Sequence, residues 1–236
     1  MLSAPRRRAA PSRHARPRVA RLELLAFLLV LSAPLSPQAL GAQEIPSDWR
    51  EIVDEPRKLS FEAEALGLLD GERWIRVSGF YEVALHAPLA AVLDACWLGM
   101  DESARIYSRV EWSRVLRRSD YEVVGEQVAG VRVMGFEYLS RASFLNELER
   151  PAPNVARVSW SLLDSDGSMR RSVGWWYFAE IRSGPDPVTY VEYFTDGEIL
   201  GLFPGQLALM RAFGPGDLER MLGEFSEEAY RRAAGP

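Results

Sequence analysis

Histidine, cysteine and lysine do much of the covalent and metal chemistry of proteins, and this chain has few of them to place. It holds two histidines, one cysteine and one lysine in 236 residues. His14 lies in an arginine-rich leader, which leaves His86 as the one histidine of the remaining chain. A single histidine cannot build a multi-histidine metal site, and Cys96 has no second thiol to help it. Cys96 sits in an apolar helix-like run, Leu93-Asp94-Ala95-Cys96-Trp97, where a small buried hydrophobe is expected rather than a nucleophile. Lys58 lies in a polar segment, a poor setting for Schiff-base chemistry. There is no Gly-x-Ser-x-Gly elbow, no phosphate-binding glycine loop and no His-Glu-x-x-His. Asp164-Ser165-Asp166-Gly167 begins like a calcium loop, but Trp175 stands where the bidentate glutamate belongs, so a hairpin turn is expected. No catalytic residue, metal site or cofactor is therefore expected.

What remains for chemistry is apolar and aromatic. Trp112, Met134, Phe136, Tyr138, Trp160, Trp176, Phe178 and Tyr193 fall on segments that read as strands. Leu218, Met221, Leu222 and Phe225 fall on a helical stripe that would oppose them. Large rings with polar tips suit a pocket that holds an apolar body and orients one polar group. Arg141 and Arg211 are the candidates to meet a carboxylate or phosphate headgroup. The expected ligand-binding set is these twelve apolar and aromatic residues with Arg211.

The elements that must carry them can be read along the chain. Residues 121–130, 132–148, 154–163 and 170–181 are rich in β-branched and aromatic residues and are separated by turn chemistry, which predicts an antiparallel meander. Strands are also expected over 73–85, 110–118 and 188–195. The signal over 57–65 is mixed between strand and helix. Asp48-Trp49-Arg50-Glu51 reads as a capping box opening a short helix. Pro88 can open a helix running to about Trp97, and a further helical turn runs from Asp101 towards Tyr107. Residues 206–213 read as helix, and Gly214-Pro215-Gly216 is expected to break or kink it before Asp217 caps a second run.

The first stretch reads as an address. Seven arginines precede an apolar run of about 10 residues from Leu24 to Ala33, short for a membrane span and right for a signal-peptide core. Ala39, Gly41 and Ala42 offer small residues for cleavage. The leader carries seven arginines and one acid, so its removal takes the net charge from -5 to about -11. Such an acidic protein is a poor candidate for binding nucleic acid or an anionic membrane surface through a basic patch. The expectation is a signal peptide over 1–42, an N-terminal extension over 43–72, one domain over 73–236, and a secreted or periplasmic protein. A lone cysteine allows no intramolecular disulfide, so the core alone must hold the fold.

Certain stretches resemble the START-like superfamily, also called the SRPBCC or polyketide cyclase/dehydrase and coenzyme Q-binding group. Val83-Ala84-Leu85-His86-Ala87-Pro88-Leu89-Ala90-Ala91-Val92 is similar to its strand ending in the Ala-Pro of a first helix. The segment 107–115 resembles the entry to its second strand, and Val131-Arg132-Val133-Met134-Gly135-Phe136-Glu137-Tyr138 its central strand. Val158-Ser159-Trp160-Ser161-Leu162 and Gly174-Trp175-Trp176-Tyr177-Phe178 resemble its paired late strands. The likeness covers about 73–232. It implies an α+β helix-grip fold, with a curved antiparallel sheet of about seven strands around a long C-terminal helix. It also implies a cavity between them for a lipid-like or polycyclic molecule. The expected partners are a hydrophobic small molecule or lipid and a transient membrane contact, for a monomeric protein. A cyclase or dehydratase using the same cavity, and a protein-interaction module using the groove, are the competing readings.

Overall fold

The computed structural model describes residues 45–69, 71–133, 136–182 and 185–235, without the side chains of 131–133 and 136–138. Eight strands form one sheet: β1 (Arg57–Leu69), β2 (Glu72–Leu85), β3 (Val110–Arg118), β4 (Glu122–Val133), β5 (Phe136–Ala152), β6 (Val155–Ser165), β7 (Met169–Arg182) and β8 (Val188–Leu200). Their order is β1-β2-β8-β7-β6-β5-β4-β3, and every pairing is antiparallel. The sheet therefore has eight strands rather than about seven. The additional one is β1, because the mixed segment 57–65 pairs along β2 and alternates across the two faces of the sheet.

Between β2 and β3 lie α1 (Leu89–Trp97), a 3-10 turn (Leu98–Glu102) and the short α2 (Ser103–Ile106). A second 3-10 turn, Trp49–Ile52, precedes β1. The expected capping box does not form there. Asp48 makes no cap hydrogen bond, and its carboxylate instead accepts from Arg57 at 2.7 Å.

The chain closes on α3 (Gln206–Ala233), 28 residues long. It runs unbroken through Pro215, against the expected interruption at Gly214-Pro215-Gly216. Tertiary contacts hold this stretch against the proline's local penalty. Arg211 Nε donates to the Ala63 carbonyl of β1 at 2.8 Å, and the Tyr81 hydroxyl donates to the Pro215 carbonyl at 3.3 Å. Gly214 is needed there, since a Cβ would come within 2.3 Å of the Phe61 ring. Asp217 consequently lies inside the helix rather than at a cap.

The C-terminal half of α3 seals the main core. Leu222, Phe225 and Ala229 are fully buried against Val83, Leu85, Val158, Phe178 and Val191 of the sheet and Val92 of α1. Trp176 packs at 4.6 Å on Phe225 and 4.5 Å on Tyr193, between ring centroids. Gly174 leaves room for Trp160, whose ring a Cβ would meet at 2.1 Å.

The outer face carries a smaller core under the N-terminal segment, with Ile52 against Ala84, Tyr177 and Tyr190. Beside it two acids are buried on one cross-strand pair, Glu82 and Glu192. Tyr190 Oη is 2.6 Å from Glu82 and 2.8 Å from Glu192, and Arg57 pairs with Glu82 at 2.5 Å. Burial pushes the Glu192 carboxyl up to about 7, against the Tyr190 hydrogen bond and with help from the Glu82 charge.

Candidate functional site

Inward positions at the other end of the sheet carry small side chains. Strand β4 presents Ala129, β5 presents Ser140 and Ala142, β7 presents Ser172, and β8 presents Thr195 and Gly197. Period-two alternation puts each of these pairs on the concave face. The N-terminal half of α3 crosses above them with Leu209, Met210, Phe213 and Leu218. Short side chains below and a helix held at distance above leave a cavity of about 370 Å³. That is within the range of ordinary small-molecule sites. Phe61, Val77 and Ile199 complete its apolar wall. Phe203 and Phe213 line it and are also 38% and 59% exposed, so they mark the mouth.

A few polar groups face this space. Arg109, just before β3, pairs with Asp217 of α3, and Asp217 also accepts from Arg220 at 2.6 Å. Burial pulls the Arg109 pKa down, while the Asp217 charge pulls it up. Its Nε–H is buried and has no hydrogen-bond partner among the described residues. Arg109 lines the cavity, so its guanidinium is the cationic group there that could meet a ligand acceptor. Tyr193 stands where the filled core meets the cavity, stacked on Trp160 at 5.6 Å. Burial pushes its phenol up to about 12, so it is neutral and can donate or accept. Gln206 ties the mouth loop, accepting from Leu202 N at 2.7 Å and donating to the Leu200 carbonyl at 3.2 Å.

Of the thirteen expected binding residues, the structure brings Tyr193 and Leu218 to the cavity. Trp176, Phe178, Leu222 and Phe225 are buried in the filled core, with Trp160 and Met221 packed against it. Trp112 is on the edge strand β3, 39% exposed, with the Arg114 guanidinium over its ring at 5.1 Å; it does not line the cavity. Arg211 clamps the helix to β1, outside the cavity, and Arg141 pairs with Glu126 at 2.5 Å. Met134 lies outside the described residues. Phe136 and Tyr138 belong to β5, and their side chains lie outside them too. Cys96 is buried and its thiol is raised by burial, while His86 is exposed, 3.5 Å from Asp186. Among the described residues no group of three or more His, Cys, Asp or Glu could hold a metal ion.

Sequence reasoning passed over Arg109, Asp217 and the small residues. The available signal was the small inward pairs Ser140/Ala142 and Thr195/Gly197 on strands otherwise rich in large residues.

No sequence-family model matches the chain, and no curated protein matches it. Solved structures do match it in shape. A STAR-related lipid transfer protein from Xanthomonas axonopodis superposes with a TM-score of 0.52 at 14% identity, over 71% of this chain and 98% of that one. The Zhui aromatase/cyclase of Streptomyces sp. R1128 gives 0.51 at 17% identity, over 68% and 98%. Human StAR-related lipid transfer protein 5 gives 0.50 at 11%, over 72% and 86%. The chain therefore has the START-like, helix-grip fold, with a hollow between sheet and C-terminal helix.

Proposed function

We propose that this protein is an exported, non-catalytic carrier that holds a lipid-like or polycyclic molecule in the cavity between the sheet and the N-terminal half of α3. The observation that carries the reading is an apolar cavity of about 370 Å³ with Arg109 in its wall. The apolar lining takes the body of the ligand, and Arg109 takes an acceptor or anionic end. Each buried methylene contributes roughly 0.8 kcal/mol, enough for micromolar binding of a medium-length chain after ordering costs. The fold neighbours named as lipid transfer proteins support the ligand class. The exposed phenylalanines at the mouth suit release to, or loading from, a membrane surface by a monomer. The basic leader, short apolar run and small residues near Gly41 support export, and mature protein should begin near Ala42 or Gln43 on N-terminal sequencing. An intact Met1 on soluble cytoplasmic protein would end the export reading.

The binding test fills the hollow. Ala142 faces the cavity from a central strand, so Ala142→Phe places a ring where the ligand should lie. A fluorescent fatty acid should bind the parent and lose at least about tenfold affinity in the variant, with melting temperature unchanged or raised. Equal binding by both folded proteins would put the site elsewhere.

A second reading is a cyclase or dehydratase. Arg109, Asp217 and the neutral Tyr193 phenol share the cavity, and one fold neighbour is named an aromatase/cyclase. Dehydration of a β-hydroxy ketone probe by the parent, absent in Asp217→Asn, would replace the carrier reading with this one.

A further inference from the structure

Among the described residues that line the cavity, two carry charge, Arg109 and Asp217, and they are paired with each other. Other polar lining groups, such as Gln127, Ser140 and Thr195, are uncharged, and burial keeps the Tyr193 phenol neutral. The cavity wall therefore balances its own charge. The acid side of the pair is fully engaged. Asp217 Oδ2 accepts from Arg109 Nη2, and Asp217 Oδ1 accepts from Arg220 Nη2 at 2.6 Å. Arg220 does not line the cavity, and its side chain is 54% exposed, so water screens its charge. Glu224 of α3 accepts from the N–H of Ser108 at 3.1 Å and adds a second carboxylate to the surroundings of Arg109. Two guanidiniums thus meet two carboxylates.

A ligand end can be ranked by what it does to this balance. A carboxylate or phosphate would set two anions on one guanidinium inside an apolar enclosure, and a charge buried without its own counter-ion is costly. Handing Arg109 over to the ligand would not help, because Asp217 Oδ2 would then face the cavity unpaired. An ammonium end meets the same obstacle from Arg109. A carbonyl or hydroxyl needs no counter-charge. Arg109 gives Nη2 to Asp217, and a guanidinium has further N–H donors, so it can donate to such an oxygen and keep its acid.

We infer that Asp217 is a specificity residue: by occupying Arg109 it turns the cavity towards amphiphiles with an uncharged acceptor, a ketone, ester, amide or alcohol, and away from free acids. The assignment rests on the cavity reading above and narrows its acceptor or anionic end to the uncharged one. A free acid still enters on the strength of its apolar chain, but more weakly.

The test compares decanoate with decanamide by calorimetry near pH 8, where the acid is ionised. The two share chain and shape and differ in charge. The full mature protein should bind decanamide at least about tenfold tighter than decanoate. In Asp217→Asn, which keeps the size of the side chain, Arg109 loses its resident anion, and decanoate should become the tighter ligand by about fivefold or more. Such a reversal cannot come from pocket size or chain length, which are the same in both proteins. Arg109→Gln leaves Asp217 without its cation and should widen the lead of the amide; it stands in if Asp217→Asn folds poorly. Equal or tighter binding of decanoate by the parent, or an unchanged ratio in either folded variant, would overturn the assignment while leaving the cavity reading intact. Binding of neither ligand by the parent would overturn the cavity reading and this assignment with it.

Discussion

The two halves of α3 face the same sheet and meet opposite surroundings. The C-terminal half, with Leu222, Phe225 and Ala229, presses on Trp176, Phe178 and Val191 and leaves no room. The N-terminal half, with Leu209, Met210 and Leu218, looks across an open space at Ser140, Ala142 and Gly197. Both halves are apolar towards the sheet. The difference lies in the strands: large inward residues at one end, small ones at the other. One end provides the stability that lets the other remain hollow. A ligand site in this fold is thus marked by what its strands lack.

The largest expected effect separates the two halves directly. Leu222→Asp puts a charge among fully buried residues and should cost more than about 4 kcal/mol in urea unfolding. Met210→Asp, equally apolar to acid but facing the hollow near its mouth, should cost less than about 1.5 kcal/mol. Comparable losses at the two sites would erase the distinction.

The next effect tests how far the tightly packed end extends through the sheet. Glu192 lies between Val191 and Tyr193 and points to the outer face. Its folded pKa, about 7, is raised above the ordinary carboxylate value. A group raised in this way favours the folded state fully below its unfolded pKa, and that contribution is lost as pH rises through the folded one. Stability should therefore fall by no more than about 3 kcal/mol between roughly pH 4.5 and 7 on account of this group. In Glu192→Gln the fall should largely disappear. Glu228, held down to about 2 with Arg231 as the leading cause and Arg105 and Arg232 also contributing, acts in the opposite direction and at lower pH. Its stabilisation is present above its unfolded pKa and is lost as pH falls towards 2, so it leaves the Glu192 window clear. A persistent slope between pH 4.5 and 7 in Glu192→Gln would place the titrating group elsewhere.

Most of the fold was legible in the residues, because its signals are local. Runs of β-formers divided by Pro151-Ala152-Pro153-Asn154 and Asp164-Ser165-Asp166-Gly167 announced the meander, and the stripe at Leu218, Leu222, Phe225 and Ala229 announced the helix. Helix continuity through Pro215 was not legible, since Ala63, Tyr81 and Phe61 hold it from distant strands. The site was legible least. Aromatic rings pointed to the sheet's concave face, but Trp176, Phe178 and Phe225 complete the packing there instead of enclosing a space. The cavity's signal lay in small inward residues, Ser140, Ala142, Thr195 and Gly197, and Arg109 meets Asp217 only once β3 and α3 are docked.

The most direct test is a methyl-resolved NMR titration of the mature protein with a medium-chain fatty acid. The account predicts shifts centred on the cavity-lining methyls of Val77, Ile199, Leu209, Met210 and Leu218, with Leu85, Val158 and Leu222 unmoved. Shifts centred on Leu85, Val158 and Leu222, with the first set silent, would contradict it.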